Sequence, residues 1–401
     1  MVSNFGKVLI FLLLTIFSNA FVVQESPSIP IPHLTGQALV EHINAAQTSW
    51  LAEHNEISDA EMKFKVMDAR FAEPLEGDYS NPGLVRGEIL PEPLPDTFDS
   101  REIWPDCKSL KFVRNQATCG SCWAFSTAEM ISDRICIQSN TTQQPIISVE
   151  DILSCCGSTC GYGCKGGYTI EALRFWQSSG AVTGGDYNGG GCMPYSFAPC
   201  KKNCVESSTP SCKTTCQTKY TSADYKTDKH HGTSAYKLSS SANNIVATIQ
   251  TEIYHNGPVV ASYKVYEDFY QYKSGVYHRV SGNLVGGHAV KIIGWGTENE
   301  VDYWLVANSW GTSFGDGGFF KIRRGTNECQ IEGNVVAGVA KLGTDSETTK
   351  TIMMTTTDGS ATSCGFIMST LINVHITKTS FIVFSVLKYT KLSKDFGPIA
   401  V

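Results

Sequence analysis

The chain of 401 residues has no cysteine before Cys107. A reading frame in which the first quarter belongs to a disulfide-bonded body is thereby excluded. Positive charge is also short: 32 Lys and Arg stand against 38 Asp and Glu, for a net charge of −6. That balance argues against nucleic acid as a principal partner. No apolar run suits a membrane span. The N-terminal one, Val8–Phe17, is about ten residues, too short to cross a bilayer. Gly365–Leu387 is interrupted by Asn373, His375 and Lys378, which argues against a span there too.

What is present points to secretion. Lys7 precedes the apolar run and Ser18-Asn19-Ala20 follows it with small residues. This reads as a signal peptide over residues 1–20, cut after Ala20. Fifteen cysteines point to an oxidising compartment, and Asn140-Thr141-Thr142 is a glycosylation sequon at Asn140. The cysteine-free stretch after the signal reads as a small domain or a removable pro-segment. Too few large apolar residues for a core of its own favour the second. Within it, Gln37–Trp50 has helical spacing, with Leu39, Ile43, Ala46 and Trp50 on one face. Pro74–Pro95 is rich in Pro, Gly and Glu and reads as an extended connector.

The stretch Gln116–Phe125 carries the chemistry. Cys122 stands at the start of a helical pattern in which Ala124, Ala128, Ile131 and Ile135 recur on one face. A thiol at a helix N-terminus sits at the positive end of the dipole, which favours the nucleophilic thiolate. Beyond Ile245 the text changes to short strand-like runs, Val259–Val265, Gly287–Trp295, Tyr303–Asn308 and Gly318–Arg323.

The run Cys119-Gly120-Ser121-Cys122-Trp123 fits the signature of papain and cathepsin nucleophiles. With Cys155-Cys156-Gly157, Cys164-Lys165-Gly166-Gly167-Tyr168, Gly286-Gly287-His288-Ala289 and Ala307-Asn308-Ser309-Trp310-Gly311, the chain from Leu94 to Ala340 resembles a cathepsin B-type cysteine protease of the papain family. The stretch from Leu39 to Asn55 resembles the propeptide of that type. The resemblance implies an α+β, papain-like two-domain fold with an N-terminal propeptide. Residues 21–93 would be the inhibitory propeptide, and residues 94–240 a mainly helical, disulfide-rich left domain with a shortened occluding-loop insert at 192–216. Residues 241–340 would be a β-barrel right domain, and residues 341–401 a disordered extension.

It further implies a site in which Cys122 attacks, His288 is the base, and Asn308 accepts or donates a hydrogen bond that fixes the imidazole. Trp310 would cover that bond, and Gln116 would offer its amide N–H to the oxyanion. Loss of one such donor costs on the order of 10²–10³ in rate. His288 and Asn308 follow Cys122 by more than the roughly 130–150 residues usual for such enzymes. The cysteine-rich insert Gly189–His231 accounts for the excess. Gly166, Gly167, Tyr168, Ala289 and Asn334 would line the substrate pocket.

The clustered cysteines read as disulfides or a zinc cluster, and the secreted context favours disulfides. Spacing alone leaves the pairing open. The resemblance implies Cys107–Cys136, Cys119–Cys164, Cys155–Cys212, Cys156–Cys160, Cys192–Cys216 and Cys200–Cys204. Cys329 is then a free, buried thiol and Cys364 a leftover. No metal and no cofactor are called for.

The departures matter. Cathepsin B has a His-His pair in its occluding loop. Here the passage is Ala198-Pro199-Cys200-Lys201-Lys202-Asn203-Cys204, without histidine, and His230-His231 lies well past it and reads as structural. Asn115 and Ser313 stand where the family has loop-anchoring aspartates. The primed end is therefore expected open, giving an endopeptidase with weak or absent carboxydipeptidase activity. Asn334 replaces a glutamate that tolerates arginine. An apolar side chain is then expected at the second residue before the scissile bond. The alternatives are a full peptidyl-dipeptidase and, in another class, a non-catalytic protease-like binding protein. Expected partners are protein and peptide substrates, the chain's own propeptide and cystatin-type inhibitors. The expected location is the secretory pathway, ending in lysosome or extracellular space.

Overall fold

The computed structural model describes residues 33–54, 62–75, 85–86, 93–200, 203–239 and 244–342. The signal peptide, most of the Pro74–Pro95 connector, Lys201, Lys202, Cys364 and nearly all of the 341–401 extension lie outside the described residues. Among the described residues no helix is long and apolar enough to cross a membrane.

Among the described residues ten strands make one sheet in the order β1-β6-β9-β8-β7-β5-β10-β4-β2, with β3 also on β7. They are β1 Trp50–Ala52, β2 Val85–Arg86, β3 Phe98–Asp99, β4 Gly232–Leu238, β5 Val259–Tyr266, β6 Tyr272–Tyr277, β7 Leu284–Glu298, β8 Val301–Ala307, β9 Phe319–Arg323 and β10 Val335–Ala340. The central strands β5, β7 and β8 read as nearly continuous buried runs, as strands covered on both faces do. The strand β4 precedes residue 241, yet it pairs antiparallel with β10 and so joins the sheet.

Five helices concern the site: α1 Gly36–Ala46, α2 Cys122–Gln138, α3 Val149–Cys155, α4 Thr169–Ser179 and α5 Ile245–Asn256. The sequence pattern suggests one buried face for α2. Instead every residue from Cys122 to Cys136 is buried. The helix touches β7, β10 and β5 as well as α3 and α4, so it has no solvent face. Its charged residues are accommodated by partners rather than by water. Lys291 on β7 reaches Asp133 at 2.6 Å and Glu129 at 3.8 Å. Arg134 pairs with Glu252 on α5 at 2.9 Å and donates to the carbonyls of Gly257, Pro258 and Gly338.

The N-terminal segment differs from the reading at one end. α1 stops at Ala46, which is exposed, and Trp50 opens β1 instead of closing the helix. Gln47 ends it: its amide donates to Trp50 O and accepts from Trp50 N–H. Leu39, Val40, Ile43 and Trp50 sink into one core with Tyr270, Tyr272 and Tyr277. Each such burial is worth about 1.5–3 kcal/mol as an upper estimate, which explains why a segment with no core of its own is ordered here. β1 then adds to the sheet edge, Trp50 opposite Gly275.

Among the described residues six disulfides form, Cys107–Cys136, Cys119–Cys164, Cys155–Cys212, Cys156–Cys160, Cys192–Cys216 and Cys200–Cys204. Cys122 and Cys329 are free among the described residues. Cys329 is only half-buried, not enclosed as expected. It lies in a short turn, Glu328–Gln330, with left-handed backbone at φ 49°, outside the strands that would have covered it.

Candidate active site

Cys122 is the first residue of α2 and has no exposed surface. The N–H groups of Ala289, Trp123 and Cys122 itself lie near enough to its sulfur to favour the thiolate. Ala289 follows His288 on β7, so the helix start and the strand meet at this point. The His288 ring is fully buried, and its Nε2 lies 2.8 Å from Asn308 Oδ1. The same Oδ1 accepts the Ser309 N–H at 2.8 Å. A backbone N–H can only donate, so the atom facing the imidazole is oxygen and Nε2 carries the proton. Nδ1 is then a lone pair, and it has no hydrogen-bond partner. Trp310 lies over the imidazole at 4.8 Å between centroids and is itself buried.

Gln116 is held from several directions. Its Oε1 accepts the Ser309 hydroxyl at 2.8 Å and its backbone oxygen accepts the Tyr195 hydroxyl at 2.9 Å. Its Nε2 donates to Cys119 O at 2.8 Å and to Lys65 O at 3.1 Å. Lys65 O also takes the Trp310 Nε1–H at 3.2 Å. The N-terminal segment therefore lies across the site with a peptide carbonyl on the Gln116 amide. Two residues on, Met67 and Gly287 exchange both backbone hydrogen bonds at 2.8 Å. This close approach requires glycine: a Cβ at Gly286 would stand 2.6 Å from Met67 O.

Coverage reverses the expected ionisation. Burial pushes the Cys122 thiol up to about 12, although the surrounding N–H groups pull the other way. Desolvation outweighs those N–H groups. Burial likewise brings His288 down to about 4, opposed by the Asn308 acceptor and aided by the Lys65 ammonium. Burial thus disfavours the charged form of both groups while residues 62–75 cover them. We therefore expect Cys122 in the full chain at pH 6 to resist iodoacetamide at least tenfold more than after residues 21–93 are removed. Equal alkylation rates, followed by mass spectrometry, would contradict the coverage argument.

The profile of the family described as papain family cysteine protease matches residues 94–339, more than half of the chain. The chain belongs to the papain family of cysteine proteases. It is 72% identical over 355 residues to cathepsin B-like cysteine proteinase 3 of Caenorhabditis elegans, covering 88% of this chain and 94% of that protein. The gut-specific cysteine proteinase of the same organism is 56% identical, over 78% of this chain and 95% of its own. Among solved structures, procathepsin B S9 from Trypanosoma congolense matches at 37% identity with a TM-score of 0.66, over 78% of this chain and all of that one. The protein is thus a cysteine peptidase of cathepsin B-like type, with the papain-like fold in which a helical half and a β half are joined to an N-terminal propeptide.

In this papain-family cleft the residues assigned to substrate do not all lie together. Tyr168 packs edge-on against Phe71, and Gly166 abuts Phe71 and Met67. Asn334 Nδ2 donates to Ala72 O at 3.2 Å and to Glu73 O at 3.3 Å. Ala289 is buried beside them. Gly167 instead faces Cys160 O and the Trp123 ring. Three residues escaped the sequence reading. Ser309 orients Gln116, Lys65 supplies a charge near His288, and Lys264 borders the Asn334 pocket. For Lys264 the period-two alternation along β5 was an available signal, since Ser262 and Lys264 share a face. For Ser309 there was none beyond its place between Asn308 and Trp310. Among the described residues no cluster of His, Cys, Asp and Glu is placed to hold a metal.

Proposed function

We propose that this papain-family peptidase is a secreted zymogen of an endopeptidase acting through Cys122, His288 and Asn308. The observation that carries the reading is the imidazole itself: Nε2 is tied to Asn308, and the free lone pair of Nδ1 is left without a partner on the strand that meets Cys122. Once the cleft is uncovered, Nδ1 takes the thiol proton and the sulfur attacks the peptide carbonyl carbon. The oxyanion is received by Gln116 Nε2–H and the Cys122 N–H. Collapse breaks the C–N bond, and the proton on Nδ1 passes to the leaving amine. Nδ1 then takes a proton from water as it attacks the thioester, and the proton returns to sulfur. Trp310 keeps water from the His288–Asn308 bond.

Residues 21–93 act as the inhibitory propeptide, with residues 1–20 as signal peptide and Asn140, exposed just past α2, as a glycan site. Substrates are proteins and peptides, cystatin-type proteins are fitting inhibitors, and the location is the secretory pathway, in lysosome or outside the cell.

The open primed end is supported by three features. Pro199 and Cys200 of the bridged loop border a cavity of about 430 Å³ next to Asn115, Trp310 and Ser313, shared with Glu53, His54, Met62 and Lys65 of the N-terminal segment that lies there in the full chain. Asn115 is engaged locally, accepting the Ala117 N–H at 2.9 Å, and brings no charge to anchor a loop. His230 is bound into a backbone bridge with Ala181, and His231 O accepts from Lys341 N–H. After acid activation an epoxysuccinyl inhibitor is expected to label Cys122. A peptide blocked at both ends should be cut internally at least as fast as one with a free C-terminus. Rapid sequential release of dipeptides from the latter would favour the peptidyl-dipeptidase reading. Absence of labelling in folded, processed protein would favour the non-catalytic one.

A further inference from the structure

The N-terminal segment leaves an imprint of what the cleft receives beside the Asn334 pocket. Two backbone carbonyls, of Ala72 and Glu73, are held by Asn334 Nδ2. The Glu73 carboxylate then turns to Lys264 Nζ at 2.6 Å. Lys264 stands opposite Gly287 in the β5–β7 register, and Ser262 stands opposite Ala289. Ser262 N–H donates to Asn334 O at 3.0 Å, which fixes Asn334 against β5. The lysine, the asparagine and the glycine next to His288 thus border one subsite, and a carboxylate of the covering chain already sits there.

Among the described residues Glu73 is the one ion-pair partner of Lys264. A relative with glutamate at position 334 would supply an internal counter-charge; here Asn334 is neutral. When the propeptide leaves, the ammonium remains at the rim with no anion. We infer that Lys264 is a specificity-determining residue that selects peptides carrying an acidic side chain at the second or third residue before the scissile bond. This rests on the proposed peptidase site and names the substrate class it prefers. It also amends the sequence expectation that an apolar side chain wins here: the covering chain sets apolar Phe71 against Tyr168, while its acidic Glu73 reaches Lys264 at the rim.

The effect is bounded by exposure. Lys264 is 22% and Glu73 48% exposed, so the charge acts through partly solvated contact, where a pair is worth roughly a fewfold in affinity and weakens with salt. The test uses the full chain, acid-processed, and matched peptides with Glu or Gln at either position. At low ionic strength kcat/KM for Glu over Gln is expected at about three- to fivefold at one of the two positions. The ratio should approach one at high salt. It should fall to about one in K264Q and invert in K264E. Because each ratio is internal to one enzyme preparation, loss of overall activity in a variant does not disturb it. A Glu to Gln ratio of one at both positions in the unaltered enzyme, or an unchanged preference in K264E, overturns the inference. If the processed protein cuts no peptide and takes no epoxysuccinyl label, it is the peptidase site that has failed instead.

Discussion

Cys122→Ser in folded, processed protein is expected to lower kcat/KM for peptide hydrolysis by on the order of 10⁴-fold or more. Serine keeps the volume of the buried side chain, so the fold around α2 has no reason to change. The hydroxyl proton is far harder to remove than the thiol proton, and the imidazole is tuned for the sulfur. His288→Ala should cost about as much, and the double variant scarcely more, because the two act as one unit. Gln116→Ala should cost less, about 10²–10³. Its effect should fall on kcat, since the oxyanion exists only after attack. Ser309→Ala should reproduce part of that loss, as the hydroxyl holds Gln116 Oε1 at 2.8 Å. Steady-state kinetics of the five variants, with circular dichroism as a check on folding, decides the matter. A serine variant working at the native pace would remove the mechanism altogether.

Lys291→Met is the second. Lys291 joins β7, which carries His288, to α2, which carries Cys122, through Asp133 at 2.6 Å and Glu129 at 3.8 Å. All three groups are buried, and each carboxylate has one oxygen without a hydrogen-bond partner. Removing the cation leaves two desolvated anions, which costs about 3–5 kcal/mol when one member of a buried pair is lost. The pH dependence follows from the carboxylates. Burial brings Glu129 up to about 7 from an ordinary 4.5, with Lys291 opposing it. Burial also raises Asp133, again against Lys291. A group with a raised folded-state pKa contributes fully below its unfolded value and loses that contribution as pH rises through the folded one. For Glu129 the window runs from 4.5 to about 7. Without Lys291 both carboxylates rise further, so the methionine variant should be only mildly weakened at pH 4.5 and severely weakened at pH 7.5. Thermal unfolding at the two pH values measures this. An equal deficit at both, or one below about 1 kcal/mol at pH 7.5, would mean that the clamp carries little. Restoration at pH 7.5 by Glu129→Gln with Asp133→Asn would identify the unpaired anions as the cause.

The site's chemistry was legible because its residues stand in short motifs. Ser121-Cys122-Trp123 places a thiol at a helix start, and Gly286-Gly287-His288-Ala289 lets another chain approach a buried histidine. The strands β5, β7, β8 and β9 were legible as well, since β-branched and aromatic runs are broken by Gly and Asn. The length of α1 was misjudged because Trp50 keeps helical register while Gln47 diverts the backbone. The burial of α2 on every side was not visible either: the spacing marks only the Ala124, Ala128, Ile131 and Ile135 face, while Glu129, Asp133 and Arg134 are buried against Lys291 and Glu252 from distant elements.

Sequence alone determined the class of chemistry and pointed to Cys122 for its nucleophile, because a reactive thiol needs a particular local environment and that environment is written in consecutive residues. It also favoured a pro-segment over a separate domain for the stretch after the signal, since its apolar content is small. The tertiary structure decided which way burial pushes Cys122 and His288, the carbonyl resting on Gln116, and the lysine beside Asn334. These depend on desolvation and on charges brought together from positions far apart in the chain, and neither distance nor burial is encoded by spacing along it.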